Sequence, residues 1–140
     1  MYGEGAAEAL MAEAFAGTDR DRLFLVSKVY PWNAGSGDME AACEASLDRL
    51  GTDYLDLYLI HWPKDFFNTP EKSAKLAEVL LILRQSGKAH AIGLSNFHKV
   101  DLELLGKHLS AFSINQVPFN LLRREYEGKT REICLANDIP

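Results

Sequence analysis

No run of apolar residues in this sequence approaches the length of a transmembrane helix, which excludes a helical membrane span. The first residues carry neither the basic nor the apolar stretch of a secretory signal. No block of Lys or Arg stands out, and 15 basic residues against 20 acidic ones leave a formal net charge of -5. That balance argues against nucleic acid or an anionic membrane surface as the main partner. Cysteine is scarce: Cys43 and Cys134 stand far apart, with neither the spacing of a metal site nor that of a disulfide framework. Reduced thiols in a cytoplasmic protein are expected, and no metal site is. Internal repeats and low-complexity segments are also lacking.

What is there is the material of an ordinary globular domain. The chain is long enough, at 140 residues, for one domain with its own core, and 47% of them are hydrophobic. Ala6 to about Phe15 reads as a helix from its Ala, Glu, Leu and Met content, ended by Gly17 and Asp19. "RLFLVSKVY" predicts a buried strand near Leu23–Val29. "PWNAGSGD" reads as a loop, with Asp38 as N-cap of a helix whose apolar stripe is Met39, Cys43, Leu47 and Leu50. Gly51 sits where a C-terminal cap belongs. "YLDLYLIHW" predicts a second strand, apolar on both faces but for Asp56, for which an inter-element hydrogen bond or ion pair is expected. A loop from Pro63 to Pro70 leads to a helix with Leu76, Val79, Leu80 and Leu83 on one face and Gly87 as its stop. Then come a strand in "AHAIGLSNF", a helix with Val100, Leu104 and Leu105, a strand in "FSINQV", and a helix over "REYEGKTREICLAND".

Strands that alternate with helices and are apolar on both faces predict a parallel sheet covered by helices. Periodicity leaves two architectures open, a doubly wound sheet or part of a barrel. In both, chemistry gathers at the C-terminal strand ends. Here the strands end on Ser27-Lys28, His61-Trp62, Ser95-Asn96 and Asn115-Gln116. A lone Lys at a strand end is usually solvated, a lone His usually packs at a rim, and a lone Asn or Gln usually bonds loop backbone. Four polar terminations on one rim, above strands of Leu, Ile and Val, point to a site.

Five stretches carry a resemblance: "MYGEGAAEAL", "FLVSKVYP", "SLDRLGTDYLDLYLIHWP", "GKAHAIGLSNF" and "INQVPFN". Together, in this order, the sequence resembles the central part of an aldo-keto reductase. The third stretch is the most specific, being long and unusual. The resemblance implies an α/β fold, a partial (β/α)8 TIM barrel holding roughly barrel strands 3 to 6, with residues 1–140 as one incomplete domain. It implies an enzyme that reduces aldehydes and ketones with NADPH by hydride transfer. Tyr2 matches the family's proton donor. A phenol gives up its proton reluctantly, and a nearby cation makes it readier; Lys28 matches the lysine that supplies the cation. His61 matches the histidine that orients the carbonyl. Ser95, Asn96 and Gln116 match the residues that bond the nicotinamide carboxamide. Trp62, Tyr30 and Trp32 would line a pocket for a small carbonyl substrate. His90, His98 and His108 match nothing catalytic and read as surface or helix-end residues, and Arg123 and Arg124 as solvated charges. The alternative is a non-catalytic member of the same fold that binds cofactor or regulates a partner.

The family's fourth catalytic residue, an aspartate shortly before the tyrosine in a strand ending Asp-Thr-Ala, has no match. Neither do the first barrel strand, most of the second, the seventh strand with its stacking aromatic, and the phosphate-binding loops. The 140 residues alone are therefore expected to show little reductase activity, to expose barrel-interior side chains, and to carry two open sheet edges prone to association.

Overall fold

The computed structural model describes residues 2–34, 38–63 and 67–140. A turn at Tyr2–Gly5 leads into helix α1 (Ala6–Ala14), which is followed by strand β1 (Val26–Val29). A short helix α2 (Pro31–Ala34), helix α3 (Met39–Leu50) and strand β2 (Leu55–Ile60) come next. The rest is helix α4 (Pro70–Gln85), strand β3 (Ala89–Ser95), helix α5 (Lys99–Leu105), strand β4 (Asn115–Gln116) and helix α6 (Lys129–Ala136).

The four strands form one sheet in the order β1-β2-β3-β4, with every pair parallel. A doubly wound sheet reverses its strand order at a switch point. This one never does, so each βα unit lies beside the one before it, and the sheet curls as half of a barrel.

Register sorts the side chains onto two faces. Val26 lies opposite Leu57 and Lys28 opposite Leu59, while Leu57 and Leu59 lie opposite Ala91 and Gly93. These share the concave face. The alternate residues, among them Val29, Tyr58, Ile60, Ile92 and Leu94, face the helices and form the main core with Met39, Cys43, Leu76 and Leu80. Each such fully buried aliphatic side chain contributes about 1.5–3 kcal/mol. The concave face is less open than four isolated barrel strands would suggest. Val26 is 39% exposed, but Leu57 and Leu59 are buried. The cause lies at Gly93, where an added Cβ would meet Leu59 Cδ2 at 2.5 Å and Ile114 Cγ2 at 2.6 Å. Those two side chains close over the glycine.

Helix ends follow local chemistry. Thr69 Oγ1 accepts from Lys72 N–H at 3.3 Å with Pro70 as the first helical residue, so α4 starts where its missing amide proton costs nothing. Asp38 holds the cap position of α3 through its carbonyl, which accepts from Ala42 N–H at 2.8 Å. Gly51, at φ 64°, ends that helix.

Several expectations need correcting. "PWNA" is not loop but the helical turn α2; a proline at the first position favours that start. Residues 35–37 and 64–66, which the sequence reading placed in loops, lie outside the described residues. Strands are shorter than their expected runs: β1 begins at Val26 rather than Leu23, β3 stops at Ser95, and β4 has only two residues. In α5, Val100 is 65% exposed and Leu102 takes its place beside Leu105, because the helix begins at Lys99 with His98 as its cap. The last helix starts at Lys129, not near Arg124, after Gly128 takes φ 74°. Arg123 and Arg124 are solvent-facing and pair with Glu125 and Glu127.

Candidate active site

At the C-terminal rim, β1 and β2 end side by side, and the His61 N–H donates to Val29 O at 3.0 Å. That puts Lys28 and His61 at neighbouring positions. Tyr2 arrives from outside the sheet, on the turn before α1. The turn runs through left-handed backbone at Gly3 (φ 58°), Glu4 (φ 54°) and Gly5 (φ 99°). It brings the Tyr2 hydroxyl within 3.1 Å of Lys28 Nζ. The Tyr2 and His61 rings lie 5.7 Å apart between centroids.

His61 is enclosed by rings, with Trp62 at 4.2 Å and Tyr30 at 5.6 Å between centroids. Burial, then the Lys28 charge, hold the imidazole below its ordinary pKa, so it is neutral at pH 7. Its Nδ1 is buried without a hydrogen-bond partner among the described residues. A bare acceptor there is less costly than an unpaired N–H, which favours the tautomer with its proton on Nε2. Tyr30 stacks on Trp32 at 4.1 Å and 17°, and Trp62 meets both rings edge-on at 5.3 and 6.0 Å. The three form one aromatic wall beside His61.

The next two strands complete the rim. Asn96, at φ 63°, donates from Nδ2 to His61 O at 2.9 Å and to Ser95 Oγ at 3.0 Å. Its backbone N–H donates to Gln116 O at 2.9 Å. Asn is among the few residues that tolerate this backbone region. Ser95 is buried and Gln116 is solvent-facing. The structure thus brings Tyr2, Lys28, His61, Tyr30, Trp32 and Trp62 into one contact group and ties Ser95, Asn96 and Gln116 to it through Asn96.

One group escapes the sequence reading. Glu8 and Arg49 lie behind the rim, and Gly5 is packed on the Arg49 side chain, so that an added Cβ would stand 2.5 Å from Nε. A Glu in an Ala-rich helix reads as solvated, and nothing local betrays partners far along the chain.

Other polar features belong to packing. Both cysteines are free and buried, and burial pushes the Cys43 thiol up to about 11, which leaves it unreactive. Among the described residues no group of His, Cys, Asp and Glu could hold a metal ion, and no helix is long and apolar enough to cross a membrane.

Residues 1–140 match the family model described as Aldo/keto reductase family. The chain is 41% identical to methylglyoxal reductase YeaE of Escherichia coli strain K12, over 100% of this chain and 48% of that protein. It is 39% identical to a glyoxal reductase of Bacillus subtilis strain 168, over 89% of this chain and 43% of the other. Among solved structures, an aldo/keto reductase from Klebsiella pneumoniae in complex with NADP and acetate superposes with a TM-score of 0.88 at 39% identity, covering 100% of this chain and 48% of that one. The chain spans about half the length of the relatives it matches.

Proposed function

The chain belongs to the aldo/keto reductase family, and from that premise we propose that it forms the proton-donating and carbonyl-orienting part of an NADPH-dependent reductase of small aldehydes and ketones. The observation that carries this reading is the 3.1 Å contact between Lys28 Nζ and the Tyr2 hydroxyl, made at the strand ends beside a neutral histidine. Residues 1–140 would then be one incomplete barrel domain, corresponding to roughly strands 3 to 6 of eight.

Bound NADPH supplies a hydride for the carbonyl carbon; these residues handle the carbonyl oxygen. As negative charge builds on that oxygen, the Tyr2 hydroxyl donates its proton to it. The phenol oxygen left behind is anionic, and the Lys28 ammonium stabilises it as a charge-assisted partner. Neutral His61 offers Nε2–H to the same oxygen and fixes its direction. Ser95 Oγ, the Asn96 carboxamide oxygen and the Gln116 amide suit a nicotinamide carboxamide, which needs both a donor and an acceptor. The Asn96 amide nitrogen is already spent on His61 O and Ser95 Oγ, so it contributes by holding the rim. The wall of Tyr30, Trp32 and Trp62 suits a small, weakly polar carbonyl compound. Relatives named for methylglyoxal and glyoxal favour an α-dicarbonyl.

The test is turnover of methylglyoxal with NADPH by the longest natural protein that contains these residues. Tyr2→Phe keeps the ring and removes the proton, and is expected to lower kcat by about 10²–10⁴-fold. Unchanged turnover in that variant would remove Tyr2 from the chemistry and favour a cofactor-binding or regulatory role.

A further inference from the structure

The helix that carries the Tyr2 turn is fastened by a charge. The one buried residue of α1 is Glu8, while Leu10 of the same helix is 65% exposed. A buried carboxylate must find partners, and Glu8 finds them on two other elements. Its Oε1 accepts from Ser27 Oγ at 2.5 Å, and its Oε2 accepts from Arg49 Nε at 2.7 Å. Ser27 precedes Lys28 in β1, and Arg49 lies in the last turn of α3. Arg49 Nη2 also donates to Ser46 Oγ at 3.3 Å. Burial opposes the Glu8 charge, but hydrogen bonds from Ser27, Arg49 and Ser46 outweigh it and hold the carboxyl below its ordinary range.

The same guanidinium is the floor of the turn. A Cβ on Gly5 would lie 2.5 Å from Arg49 Nε and 2.6 Å from Arg49 Cδ, so the backbone rests on that side chain. Gly3, Glu4 and Gly5 all take positive φ, and Glu4 does so with a side chain. Such a run is not favoured locally and persists where its surroundings over-determine it. Arg49 and Glu8 are those surroundings.

We propose that Glu8, Arg49 and Ser27 form a polar clip that positions Tyr2 against Lys28. The two ends of that contact come from separate segments, the turn and β1. Glu8 joins them: through Arg49 it holds the turn, and through Ser27 it holds β1 next to Lys28. The clip touches neither the substrate nor the cofactor; it sets the geometry of the residues that do. This deepens the reading above and rests on it for its catalytic consequence, though not for its structural one.

Two measurements separate the levels. The first is made on the 140-residue chain without ligand, as the nuclear Overhauser contact between the Tyr2 ring and the Lys28 side chain. The contact is expected in the wild type, lost in Arg49→Met, weakened in Ser27→Ala and restored in Ser27→Thr, which keeps the hydroxyl. Contacts between Leu55 and Ala89, paired across β2 and β3, serve as the control for an intact sheet. A Tyr2–Lys28 contact that survives Arg49→Met with that sheet intact overturns the clip. If Arg49→Met does not fold, the Ser27 pair decides: equal contact in Ser27→Ala and Ser27→Thr overturns it. The second measurement is kcat against KM for methylglyoxal in the longest natural protein containing the chain. Ser27→Ala is expected to lower kcat by up to about 10²-fold with little change in KM, and Ser27→Thr to recover it. A wild type with no carbonyl turnover would sink the reductase reading and leave the contact test standing.

Discussion

Asp56 is the one acidic residue of β2, and its placement explains why an apolar strand tolerates it. Arg20 Nη2 donates to its Oδ2 at 2.8 Å, and the Leu25 N–H donates to the same oxygen at 2.7 Å. Arg20 also covers the Tyr54 ring at 3.8 Å, and that ring stacks on His90 at 4.2 Å. Burial opposes the Asp56 charge, but Leu25 and Arg20 outweigh it and hold the carboxyl below the usual aspartate range. Glu8 is held low in the same way and His61 by burial. All three have folded pKa values below their unfolded ones, so the unfolded chain binds protons first. Their contribution is complete above the unfolded values and is lost as pH falls through the folded ones. Urea midpoints are therefore expected to drop first below about pH 6.5, from His61, and again below about pH 4, from Glu8 and Asp56. Asp56→Asn should cost about 1–3 kcal/mol at neutral pH and flatten part of the second drop. A midpoint that rises on acidification would contradict the assignment. The ion pair of Asp56 is legible in the sequence because a charge inside an apolar strand demands a partner. That of Glu8 is not, because a first-turn glutamate is ordinary and its partners lie in two later elements.

Among elements, the pairing of β3 with β4 is the weakest link, with two residue pairs, Leu94 with Asn115 and Ser95 with Gln116. Backbone bonds extend it, from Leu94 N–H to Ile114 O and from Ser113 N–H to Ile92 O, both at 2.8 Å, and the Ile114 and Leu59 side chains both lie against Gly93. Gly93→Ala forces a methyl into that contact, with Ile114 O only 3.2 Å away as a backbone wall. The expected cost is about 1–3 kcal/mol in thermal or urea unfolding, with hydrogen exchange rising first at Asn96, whose N–H bonds Gln116 O. No change in stability would mean that the concave face is looser than described. Elements with a clear apolar stripe are legible: Met39, Cys43, Leu47 and Leu50 of α3 are all buried as their spacing predicts. Where the stripe is short, capping decides instead. In α5 the His98 cap and the Asp101 carboxylate that accepts its N–H rotate Val100 outward. At the last helix, pairs such as Arg124 with Glu127 hold a turn that resembles helix in composition alone. The rim residues are legible for a simpler reason: parallel strands paired in this register end in one layer, so four polar endings in sequence come together on one rim in space.

At the scale of the whole molecule, the sheet has two edges of different character. The outer edge of β4 is partly covered, because Asn115 N–H donates to Pro140 O at 3.1 Å. The outer edge of β1 meets no strand among the described residues. Beside it Phe24 is 71% and Val26 39% exposed. Unpaired, apolar strand edges promote association, so the 140-residue chain is expected to scatter more light as its concentration rises. Val26→Lys should reduce that scattering without lowering the melting temperature by more than a few degrees. A wild-type chain that sediments as a monomer at all concentrations would overturn this.

The nearest-neighbour order of the sheet also has a consequence in time. Each of β2, β3 and β4 pairs with the strand that precedes it in the chain, so none of the three has to wait for a partner not yet synthesised. During translation, β1 is already out when β2 emerges, β2 stands ready for β3, and β3 for β4. Each new βα unit meets a surface that is already folded, and the sheet can grow in the direction in which the ribosome reads.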